Sequence, residues 1–92
     1  MAQESMDISD WRGRIDEVDQ KLIELVNQRL EFAIEIGRIK RASGQQVRDA
    51  ARERELIERL QSCNNGPMSD EAIADLFTRI MAEARILEGE TT

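Results

Sequence analysis

Ninety-two residues carrying a formal net charge of −6 suffice for one small domain, and a chain so short buries little of its own surface without a partner chain. The negative balance without any basic tract excludes nucleic acid as a natural ligand, and the absence of His removes a histidine base and a His-built metal site. Cys63 is the single cysteine, so neither an internal disulfide nor a zinc motif can form.

One Pro, 3% aromatic and 35% charged residues suit an all-helical chain rather than a sheet. Residues 1–9, MAQESMDIS, lack the apolar core of a secretion signal, and no run reaches membrane-spanning length. With a free thiol, this places the chain in the cytoplasm by default.

The first predicted element is long. Ile8, Trp11, Ile15, Val18, Leu22, Leu25, Phe32, Ile36 and Ile39 recur at alternating spacings of three and four, the mark of an amphipathic helix. Arg29 occupies a seam position that asks for an apolar side chain, and Ser43 ends the series. Ser9 or Asp10 can cap the start, and SGQQ at 43–46 stops a helix of about 35 residues and roughly 50 Å. A second helix begins at Asp49 as N-cap and runs to about Ser62. CNNGP at 63–67 marks a loop. Ser69 caps a third helix whose apolar face is Ile73, Leu76, Phe77, Ile80, Met81, Ala84 and Leu87, and Gly89 fits the position that stops it. The expected organisation is one domain over 1–92, with 1–7 and 90–92 as disordered tails and no room for a second effector domain.

Two short helices cannot cover a helix about twice their length. Nine apolar seam residues left in water would each forgo ~1.5–3 kcal/mol. A homodimer in which two long helices pair is the packing answer.

The seam also carries charge. Lys40 lies eleven residues after Arg29, about 20° around the helix and roughly 16 Å along it. Glu53 is centred on the stripe of Leu56, Ile57 and Leu60, with Arg52 at its edge, and Glu88 continues the row Phe77, Met81, Ala84. One seam cation can snorkel or set register. Ionisable groups from three helices, with Arg12 added, exceed what two glutamates neutralise, and burying them uncompensated costs several kcal/mol each. A cavity with surplus positive charge in an acidic chain is a site for a small polyanion. The helix cap alone explains Asp49, Arg48 reads as solvated, Cys63, Met68 and Met81 as loop or core residues, and Trp11 as a dimer-core residue.

The pattern R-x16-R-x10-K (Arg12, Arg29, Lys40), then VRDAARERE at 47–55, then a helix with glutamate at 88, resembles the all-helical class of chorismate mutase over about residues 8–88. The resemblance implies an intertwined six-helix homodimer with Arg12 serving the partner's site. It implies conversion of chorismate to prephenate with no cofactor and no metal. Arg29 and Arg12 would clasp the two carboxylates, and Lys40 would donate to the ether oxygen and a carboxylate. Asp49 and Glu53 would bind the ring hydroxyl, with Arg52 supporting the carboxylate side. Glu88 stands where many members have Gln donating to the ether oxygen, and Ala84 where some have Ser. Two alternatives stay open: isochorismate-pyruvate lyase of the same fold, and an inactive helical dimerisation or regulatory module. Docking on another shikimate-pathway enzyme is also left open.

Overall fold

The computed structural model describes residues 5–89, and all regular structure among them is helical. Of the tails expected at 1–7 and 90–92, residues 1–4 and 90–92 lie outside the described residues, whereas Asp7 is held in the cap of the first helix. Helix α1 spans Ile8–Ala42, α2 Ala50–Cys63 and α3 Asp70–Leu87.

Each helix begins where a short acceptor side chain meets orphan backbone N–H groups. At α1 the cap is Asp7, upstream of the expected Ser9 or Asp10. Asp7 Oδ1 accepts from Asp10 N at 2.9 Å and Asp10 Oδ2 from Asp7 N at 3.1 Å. Asp10 therefore serves as the reciprocal partner in a capping box, which satisfies two donors where a lone cap satisfies one. Asp49 caps α2 by accepting from Arg52 N at 3.0 Å, and Ser69 caps α3 by accepting from Ala72 N at 3.0 Å. Lys40 and Arg41 occupy the last turn of α1, where cations oppose the negative end of the dipole. The turn into α3 is tied by Asn64, whose Nδ2 donates to Met68 O at 2.7 Å and whose Oδ1 accepts from Gly66 N at 3.1 Å.

Helix α3 is the middle layer, packed on α1 along one side and on α2 along the other. The face that α1 gives to α3 is not the seam. It is the neighbouring stripe of Val26, Leu30, Ala33, Ile34 and Gly37, all buried or half-buried. Close approach is possible because position 37 has no side chain. A Cβ there would lie 2.8 Å from Cα, Cβ and the carbonyl oxygen of Glu88.

The seam itself is uncovered. Trp11 is 53% exposed, Leu22 52% and Phe32 62%, and no large side chain of the described residues is fully buried. Nothing in the described residues packs on the first half of α1, so the molecule is a rod with extents of 66 × 23 × 22 Å. Leu76 and Leu87, expected on the apolar face of α3, lie at its exposed edge, whereas Ile73, Met81 and Ala84 are buried.

Candidate active site

The three helices leave a cavity of about 460 Å³ where the second half of α1, the start of α2 and the end of α3 converge. Of the eight side chains singled out from the sequence, Arg29, Lys40, Asp49, Arg52, Glu53, Ala84 and Glu88 line it. Arg12 does not. It is exposed on the same helix as Arg29, seventeen residues earlier, which is about 25 Å along the axis.

Each element delivers its groups for a local reason. Arg29 projects from the seam of α1 beside Phe32, and Lys40 follows Ile36 by one turn, about 20° around the helix from Arg29. Lys40 Nζ donates to Val47 O at 2.8 Å, which fixes the ammonium at the cavity mouth and leaves two of its three N–H groups for a ligand. Asp49 and Glu53 stand one helical turn apart at the positive end of α2, where carboxylates are stabilised. Asp49 Oδ1 is committed to the cap, and Arg52 lines the cavity while reaching Glu55 at 3.5 Å. Ala84 brings no polar group, so that part of the wall is apolar, continuous with Met81 and Leu56.

Glu88 closes the cavity from the last turn of α3. It is 8% exposed, and burial pushes its carboxyl pKa up from the ordinary range. Lys40, Arg29 and Arg85 oppose that shift, and the Glu53 carboxylate reinforces it. Its backbone is gripped from α1, with Gly37 allowing contact and Arg41 Nη1 donating to the Glu88 carbonyl. Gly89 follows with φ of 105°, a conformation that favours glycine and ends the helix there.

One cavity residue was missed. Arg85 lines the cavity, and its Nη1 donates to Glu53 Oε2 at 2.7 Å. The signal was present: Met81, Ala84, Arg85 and Glu88 follow i, i+3, i+4, i+7 spacing on one helical face. Arg48, expected to be solvated, is 58% exposed, yet its guanidinium lies 3.5 Å from Glu53 Oε1. Cys63 is exposed, Met68 lies in the loop and Met81 is in the core. Trp11 carries the Arg14 guanidinium 5.4 Å from its ring centre.

The cavity thus holds four cations (Arg29, Lys40, Arg52, Arg85) against three carboxylates (Asp49, Glu53, Glu88). A protonated Glu88 widens the surplus. The described ion pairs nearest the cavity centre on Glu53, and Arg29 takes part in neither. Such a chamber attracts a small anion and offers it donors in fixed positions. Among the described residues no group of carboxylate and thiol side chains could hold a metal ion, and no helix is long and apolar enough to cross a membrane.

The family model of chorismate mutase type II matches residues 11–89. The chain is 35% identical over 81 residues to the bifunctional chorismate mutase/prephenate dehydratase of Neisseria gonorrhoeae, covering 88% of this chain and 22% of that protein's length. Its Escherichia coli K12 counterpart is 47% identical over 49 residues, 53% of this chain and 13% of that protein. The fold superposes on a chorismate mutase from Thermus thermophilus with a TM-score of 0.87 at 32% identity, covering 91% of this chain and 96% of that one. A Helicobacter pylori chorismate mutase in complex with prephenate gives 0.81 at 26% identity, covering 88% of each chain.

Proposed function

Because the chain belongs to the chorismate mutase type II family, we propose that its cavity binds chorismate and rearranges it to prephenate, a step of aromatic amino acid biosynthesis. The observation that carries this reading is the surplus of cations around a half-open, partly apolar cavity in an otherwise acidic chain.

The reaction is a [3,3] shift within one molecule. The ether C–O bond breaks as a C–C bond forms, with no proton, nucleophile or metal in the balance. Two tasks remain for the protein. It must hold the enolpyruvyl side chain over the ring, a positional effect, and stabilise negative charge on the ether oxygen, worth ~3–4 kcal/mol per preorganised donor.

Arg29 clasps one carboxylate with its bidentate fork. Lys40, steadied by the Val47 carbonyl, turns its free N–H groups to the ether oxygen and a carboxylate. Glu53 accepts from the ring hydroxyl, with Asp49 contributing beside it and Arg52 at the carboxylate side. Protonated Glu88 donates to the ether oxygen, a form that burial favours more than it would for an exposed carboxyl. Ala84 packs against the ring.

By the family resemblance the second carboxylate goes to Arg12, which its own chain holds about 25 Å from Arg29. The working unit is therefore a homodimer in which the exposed seams of two α1 helices pair and each Arg12 completes the partner's cavity. The uncovered row from Trp11 to Ile39 supports this arrangement.

Loss of chorismate absorbance on addition of purified protein tests the reading. Formation of salicylate from isochorismate would indicate the lyase instead. Absence of both activities in an intact dimer would overturn the enzyme assignment.

A further inference from the structure

The Arg85–Glu53 pair differs from the other ion pairs of the described residues. Those of Arg38, Arg52 and Arg79 join neighbours three or four positions apart on one helix, and that of Arg48 uses an exposed side chain. Arg85–Glu53 links α3 to α2, with both side chains largely buried at 17% and 18% exposure and a 2.7 Å contact. Both also line the cavity.

A glutamate that serves a hydroxyl inside an anion-binding chamber faces two difficulties. Its carboxylate repels the dianion it helps to bind, and it rotates freely unless one oxygen is fixed. A short charge-assisted bond to an arginine answers both. It places compensating charge on the side of Glu53 where Arg85 sits and pins Oε2. Oε1, which the exposed Arg48 approaches at 3.5 Å, has two lone pairs and so keeps acceptor capacity for a ligand.

We propose that Arg85 is a positioning residue that acts on the reaction through Glu53, aiming that carboxylate at the substrate hydroxyl and cancelling its charge. The inference rests on the chorismate reading and deepens it. An ion pair that only joins α3 to α2 would set stability and leave the function of Glu53 untouched.

A double-mutant cycle on the full dimeric protein separates the two roles, with kcat and KM for chorismate and thermal unfolding measured on each variant. Arg85→Met should lower kcat/KM about 10- to 100-fold, the cost of a misaimed binding group. Arg85→Lys, which keeps the charge without the fork, should recover part of the loss. In a Glu53→Gln background, Arg85→Met should change kcat/KM by no more than about twofold, because its target is gone. Equal fold losses in both backgrounds, or an Arg85→Met variant at the parental kcat/KM, would overturn the proposal. Should Arg85→Met unfold, Arg85→Lys takes its place in both backgrounds under the same criteria. Parental protein without turnover would overturn the functional reading and this assignment together. Parental turnover with additive variants would overturn the assignment alone.

Discussion

Gly37→Ala tests how the catalytic end of α3 is held. The added Cβ would lie 2.8 Å from three atoms of Glu88, two of them backbone, where ordinary contact begins at 3.4 Å. Residue 88 must therefore retreat by about 0.6 Å, since packed interiors offer no slack to absorb the clash. Two effects on stability oppose each other. Replacing a mid-helix glycine gains ~1 kcal/mol of helix propensity, and overpacking costs ~1–3 kcal/mol. Gly13 provides the control. It lies in the same helix on the face opposite the seam, with nothing within 4 Å of a built Cβ, so Gly13→Ala should keep the whole propensity gain. The expected melting temperatures rank Gly13→Ala above the parent and Gly37→Ala at or below it. In the chorismate assay, displacement of Glu88 by a sizeable fraction of an ångström should lower kcat/KM about tenfold, given that ~1 Å of misplacement costs up to ~100-fold. A Gly37→Ala protein as active and as stabilised as Gly13→Ala would refute the close-approach argument.

The remaining predictions concern charge. Because the pKa of Glu88 is raised in the folded chain and only its protonated form donates, kcat/KM should fall as pH rises through that pKa, and Glu88→Gln should flatten the profile. A parental profile already flat over about pH 5 to 8 would refute this. The same shift means that the folded state binds the proton more tightly than the unfolded chain, so stability is lost as pH rises above the ordinary carboxyl range. Glu88→Gln should accordingly melt higher than the parent at neutral pH and approach it in acid, as a thermal scan at several pH values will show. Arg29→Ala should abolish turnover with an unchanged or higher melting temperature, because removing a partly buried cation outside the Glu53 ion pairs relieves desolvation. A large drop in melting temperature with activity retained would contradict its placement in the site. Mixing Arg12→Ala with Arg29→Ala chains should restore about a quarter of the parental sites after random subunit exchange, since half of the dimers then carry one complete site. No recovery after demonstrated exchange would place both arginines in the same chain's cavity.

Much of the site was legible because its residues obey helical spacing. Arg29 interrupts an apolar repeat, Glu53 and Glu88 continue apolar rows, and the pattern from Arg12 to Glu55 carries the family resemblance. Arg85 escaped notice because an arginine beside an apolar row usually reaches water, and its partner stands on another helix. Arg48 reads as solvated for a similar reason, since its approach to Glu53 depends on how the loop enters α2. Asp7 was missed as the cap because a capping box needs both carboxylates to be weighed together.

By itself the sequence determined the three helices, their ends at Asp49, Ser69 and Gly89, and the existence of an apolar seam too long for the chain to cover. Caps and periodicity are local, written within a few residues of where they act. Only the tertiary structure decided which stripe of α1 receives α3. Val26, Leu30, Ala33, Ile34 and Gly37 prevail over the more apolar seam, because at Gly37 the absence of a side chain lets the end of α3 make contact with α1. That choice leaves the seam exposed and turns Arg29 and Lys40 into the same chamber as Glu53, Arg85 and Glu88.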